Sequence, residues 1–112
     1  MNNQKPVEFL DSSLDDLRDF PLGVKREAGH QLDKVQSGDE PDDWKPMSMI
    51  GAGVREIRIH DTAGIFRVIY VAKFVDAIYV PHCFQKKTQK TGKTDLSLAS
   101  KRYKDLIKRL GQ

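Results

Sequence analysis

From Ile65 to Val75 the chain is rich in β-branched and aromatic residues, with Arg67 set into the middle of the run. Asp61-Thr62-Ala63-Gly64 precedes it and a tight Asp76-Ala77 turn follows it, so the segment reads as a strand inside a sheet. Alternation places Phe66, Val68, Tyr70 and Phe74 on one face, and Ile65, Arg67, Ile69, Val71, Lys73 and Val75 on the other. A guanidinium in such a strand costs stability unless it faces a groove or a partner, which makes Arg67 a candidate functional residue.

Its neighbours share the two-residue period. Val54–His60 alternates, with Ile57 and Ile59 on one side and Glu56, Arg58 and His60 on the other. Met47–Ile50 reads as a short strand, Gly51-Ala52-Gly53 as a turn, and Ala77–Phe84 as a further strand. The charged faces are expected to bring Glu56, Arg58, His60, Arg67 and Lys73 toward one region.

Upstream the period is helical. Val7–Leu10 suits an edge strand, and Asp11-Ser12-Ser13 offers caps for a helix carrying Leu14, Leu17 and Phe20. Pro21 breaks that helix and opens a second, which runs to about Val35 and ends at Ser37-Gly38. The acidic loop Asp39–Pro46 is too short to separate domains. Asp95 or Ser97 can cap a last helix with Leu98, Tyr103, Ile107 and Leu110 near one stripe. The expectation is one α+β domain over residues 1–112, with 1–5 a frayed tail. It holds a small twisted antiparallel sheet, an N-terminal helical hairpin and a C-terminal helix, with the helices on one face.

Charge is unevenly spread: residues 1–45 carry −5, residues 46–81 carry +1 and residues 82–112 carry +7. A basic end of this kind suits a phosphate-rich partner, although a solvated lysine-rich helix has the same composition. Lys86, Lys87, Lys90 and Lys93 fall within eight residues of each other, in a connector that could grip an RNA backbone. Cys83 is the single cysteine, so no internal disulfide forms and a reducing compartment is expected. The absence of a basic-then-apolar leader and of any membrane-length apolar run points to a cytoplasmic protein. His30, His60 and His82 lack metal-ligand spacing, no serine sits in a nucleophile elbow, and neither metal nor organic cofactor is expected.

Three segments together resemble a known family. Gly51-Ala52-Gly53-Val54-Arg55-Glu56-Ile57-Arg58-Ile59 is similar to the glycine-turn, Glu-aliphatic-Arg strand of phage-derived HigB-like toxins. Ile65-Phe66-Arg67-Val68-Ile69-Tyr70 resembles their aromatic-Arg-Val strand, and Phe84-Gln85-Lys86-Lys87-Thr88-Gln89-Lys90-Thr91 resembles their Phe-x-Lys-Lys-Thr-x-Lys-Thr signature. A helix with Ala99 and Arg102 follows, and the similarity spans roughly Val7 to Leu110.

The resemblance implies a RelE/ParE-superfamily fold and a type II toxin that cleaves mRNA on the ribosome without a metal. A ribose 2′-hydroxyl would attack the adjacent phosphate, which requires a base, an acid and charge stabilisation. By position, Arg67 would stabilise the phosphate, and Lys86, Lys87 and Lys90 would hold substrate or transfer a proton. Glu56 is a further catalytic candidate, while Arg55, Arg58, Lys73, His82 and Lys93 are candidates for RNA binding. The resemblance departs at Leu96, which stands about where RelE has a substrate-stacking tyrosine, and leaves the base open among Glu56, His82 and a lysine. Implied partners are the ribosome with its mRNA and a HigA-like helix-turn-helix antitoxin, through which operator DNA is contacted indirectly. Two other readings are a ParE-like toxin that binds DNA gyrase without catalysis, and a degenerate phage-related protein that only binds an antitoxin.

Overall fold

A computed structural model describes residues 4–86 and 92–111 of the chain. Element order is β1 (Val7–Phe9), α1 (Ser13–Arg18), α2 (Leu22–Gln36), β2 (Trp44–Pro46), β3 (Val54–Asp61), β4 (Gly64–Val71), β5 (Ile78–Lys86) and α3 (Lys93–Leu110). The strands form one sheet in the order β1-β5-β4-β3-β2. The α+β arrangement with an N-terminal helical pair and a C-terminal helix is the one expected from the sequence.

The central position of β4 explains its apolar run, because a strand flanked on both edges and covered on both faces has little solvent to meet. Phe66, Val68 and Tyr70 join Ile57, Ile59, Ile78, Val80 and Cys83 in a core closed by Leu17, Val24, Ala28, Leu32 and Val35 of the two N-terminal helices and by Phe20 between them. Ile69 and Val71 point the other way, into a second cluster with Val54, Tyr79 and Phe84 under Ala99, Tyr103 and Leu106 of α3. The helices therefore occupy both faces of the sheet, not one. Burying α3 on the opposite side is what makes both parities of β4 apolar.

Three further details depart from the sequence reading. The sheet is mixed, since β1 runs parallel to β5 while the remaining pairs are antiparallel. The short strand ahead of β3 is Trp44–Pro46, within the acidic loop, and Met47–Ile50 is a turn closed by Ile50 N–H donating to Met47 O at 2.9 Å. The register between β4 and β5 shifts between Ile69, opposite His82, and Val71, opposite Tyr79, so β5 carries one extra residue there. That bulge puts Tyr79 and His82, three positions apart, on the same α3 side.

Gly51 marks where α3 meets the β2–β3 connection. A Cβ at this position would lie 2.3 Å from the Tyr103 ring, so only hydrogen fits.

Candidate functional site

The strand registers stack the polar side chains of the α3 face into cross-strand rows. His60, Ile65 and Lys86 form the row nearest the β3–β4 turn. Arg58, Arg67 and Phe84 form the next, and Glu56, Ile69 and His82 the third. Glu56, Arg58, His60, Arg67, His82 and Lys86, all named from the sequence, thus meet on one half of one face.

Arg67 and Glu56 are the buried centre of this patch. Arg67 Nη1 donates to Glu56 Oε1 at 3.0 Å, and both side chains have 0% exposure. Lys45 Nζ lies 3.8 Å from the same carboxylate oxygen. The guanidinium that disrupts the apolar pattern of β4 is therefore matched by the carboxylate that disrupts β3. Neither group lies on the accessible surface, so the expectation of Arg67 facing an open groove is corrected to an internal ion pair.

Asp43 organises the exposed side of the patch. Arg58 Nη2 donates to Asp43 Oδ1 at 3.0 Å and His60 Nε2 lies 2.9 Å from Asp43 Oδ2. Partial burial pushes the Asp43 carboxyl upward, but the hydrogen bonds from His60 and Arg58 outweigh it and hold the group below its ordinary range. Asp43 was not a candidate at the sequence level, because one acidic residue in an acidic loop gives no local signal.

The other end of the patch is built by the start of α3. Asp95, in its first turn, accepts from His82 Nε2 at 2.8 Å and from Lys86 Nζ at 3.0 Å. Arg102 Nη1 lies 3.3 Å from His82 Nδ1 and 3.0 Å from Pro81 O, and Arg102 Nη2 donates to Ser12 Oγ at 3.0 Å. A guanidinium only donates, so the Arg102 contact assigns the ring proton of His82 to Nε2, facing Asp95. His82 also stacks on Phe84, with centroids 4.9 Å apart, and is buried. Both its ring nitrogens are occupied, so the structure places it as a tie between β5 and α3. A Cβ on Gly92 would sit 2.7 Å from Lys86 Nζ, so the glycine before α3 leaves room for the lysine to reach Asp95.

Two candidates lie elsewhere. Arg55 projects from the opposite face, over Trp44 at 4.0 Å and 3.8 Å from Glu40. Lys73 follows the far end of β4, near Phe74 and Tyr103. The odd-numbered position of Arg55 on β3 and the length of β4 separate both from Arg67. Lys93 is exposed at the start of α3, whereas Lys87 and Lys90 lie outside the described residues.

Burial pushes the Cys83 thiol up and away from reactivity. Among the described residues no group of three or more His, Cys, Asp or Glu side chains is placed to hold a metal ion. No helix among them is long and apolar enough to cross a membrane.

Comparison with curated proteins finds no match. Residues 15–104 match the family of phage-derived Gp49-like proteins (DUF891), and the matched span includes α2, the four strands β2 to β5, and most of α3. The chain belongs to this Gp49-like family, a RelE/ParE-like toxin family of toxin-antitoxin systems.

Proposed function

We propose that the protein is a ribosome-dependent endoribonuclease, a HigB-like toxin that stops translation by cutting mRNA without a metal. One observation carries the reading: Lys86, Arg58 and His60 share one end of one sheet face, with Lys86 and Arg58 each pinned by a carboxylate at 3.0 Å. Cations held in place ahead of the reaction stabilise charge developing on a phosphate without reorganising. In sequence, Lys86 is followed by Lys87 and Lys90, further cations of the kind that an RNA backbone attracts.

In this reading Arg58 and Lys86 hold the scissile phosphate, and Lys87, Lys90 and Lys93 follow the RNA backbone. Arg67 with Glu56 sits beneath them and keeps β3 and β4 in register. A HigA-like helix-turn-helix antitoxin covers the basic face, blocks access to mRNA and supplies the contact with operator DNA. The toxin acts in the cytoplasm, where its substrate is.

The test is induction of the chain without an antitoxin, followed by mapping of mRNA ends. Cleavage within translated codons, lost in Lys86→Ala, supports the proposal. Intact mRNA beside accumulating gyrase–DNA complexes would show a ParE-like toxin instead.

A further inference from the structure

We propose that His60, oriented by Asp43, is the general base of the cleavage, and that Lys86 faces it across the scissile phosphate as the proton donor. The inference rests on the nuclease reading above and identifies the residue that removes the 2′-hydroxyl proton.

Glu56 and the other two histidines are already committed or lie elsewhere. Glu56 has no exposed side-chain surface and pairs with Arg67. His82 has both ring nitrogens engaged, by Asp95 and Arg102, and is buried. His30 belongs to α2, on the opposite side of the sheet.

His60 differs on every count. Its side chain is 63% exposed and, among the described residues, makes one hydrogen bond, through Nε2 to Asp43. A carboxylate only accepts, so Nε2 carries the proton and the lone pair of Nδ1 is left for a substrate. Asp43 is itself fixed by Arg58, both side chain to side chain and through Arg58 N–H donating to Asp43 O at 2.9 Å. A base with one nitrogen oriented and the other open is the arrangement that proton abstraction needs.

Position supports the pairing with Lys86. The two residues are in one cross-strand row, separated by Ile65 of β4. Strands about 4.8 Å apart put their Cα atoms roughly 10 Å from each other, on the same face. In the proposed arrangement a single phosphodiester spans this gap, with His60 at one end and Lys86, turned from Asp95, at the other. Arg58, one row inward, lies beside the non-bridging oxygens.

The step balances as follows. Nδ1 of His60 takes the 2′-hydroxyl proton as the 2′-oxygen bonds to phosphorus. The bond from phosphorus to the 5′-oxygen breaks, and that oxygen takes a proton from Lys86 Nζ. The products are a 2′,3′-cyclic phosphate and a 5′-hydroxyl, after which water returns a proton to Lys86 and accepts one from His60.

Single-turnover cleavage of mRNA on programmed ribosomes tests the assignment. His60→Ala should slow cleavage by about a hundredfold or more, leave ribosome binding unchanged, and regain rate when imidazole is added. A message with sulfur replacing the 5′-bridging oxygen needs no proton at its leaving group. It should restore Lys86→Ala and not His60→Ala. Wild-type protein that leaves ribosome-bound mRNA intact overturns the nuclease reading and the base together. Wild-type cleavage that His60→Ala matches within about threefold, or a folded His60→Ala that imidazole does not rescue, overturns the base alone.

Discussion

Arg67 of β4 and Glu56 of β3 form an ion pair 3.0 Å long with no exposed side-chain surface on either partner. Arg67 sits one row inward from His60 and Lys86, and Glu56 two rows inward. Removing one member of a buried pair strands the other charge in a medium that solvates it poorly. Arg67→Ala is therefore expected to cost about 3–5 kcal/mol of stability, measured by urea unfolding. Because Arg67 is buried, loss of toxicity in this variant would follow loss of the fold and would not isolate a catalytic role. Glu56→Leu combined with Arg67→Met should recover most of the stability. A single Arg67→Ala variant that unfolds within about 1 kcal/mol of the wild type would contradict the account.

Gly51 lies directly against the Tyr103 ring of α3. Gly51→Ala would place a methyl group 2.3 Å from the ring, so the helix must shift. The expected loss is about 1–3 kcal/mol, read from the midpoint of unfolding. Tyr103→Leu in the same chain should return part of it, since the smaller side chain opens the space. An additive double mutant would show that the two residues do not touch.

Asp43 gives the fold an acid limb. Its folded-state pKa is lowered, so its contribution is complete above the ordinary carboxylate value of about 4 and disappears as pH falls through the lower folded value. Wild type should exceed Asp43→Asn in stability at neutral pH, and the gap should close in acid. The C–H proton resonances of His60 report the same event locally. A gap that stays constant down to about pH 2 would remove Asp43 as its source.

Two tyrosines should ionise late. Burial raises the Tyr70 pKa, against the opposing effect of Arg55, and the hydrogen bond to Asp76 raises that of Tyr79. Tyr79 O–H donates to Asp76 Oδ2 at 2.6 Å. An ultraviolet titration of the folded protein should therefore show tyrosinate appearing above the usual value of about 10. Asp76→Asn should bring one transition down, because the acceptor no longer carries charge. An unchanged titration in Asp76→Asn would assign the delay to burial alone.

The fold was legible where a single period dominates a segment. The helical stripe of Ala28, Leu32 and Val35 and the alternation of Ile57 with Ile59 both point to the core they enter. Arg67 was legible as an anomaly, but its resolution was not, since the compensating Glu56 lies eleven positions away on another strand. The placement of α3 on the second face depends on which parity of β4 it covers, and a strand apolar on both sides does not reveal that. The bulge that aligns Tyr79 with His82 likewise leaves no mark in composition. Asp43 escaped notice for a related reason: it is ordinary in its own segment, and only the pairing of β2 with β3 joins it to His60.

The parallel pairing of β1 with β5 has a consequence for the birth of the protein. Val7 is paired with Ile78, so the first strand to be synthesised waits for nearly the last before it has a partner. Contacts this distant in sequence close late, because the loop entropy must be met before the pairing rewards it. The sheet cannot be finished while its fifth strand is still inside the ribosome. The chain that emerges is therefore an incomplete sheet until translation has passed Lys86, and the surface assembled from β3, β4 and β5 comes into being only as its own synthesis ends.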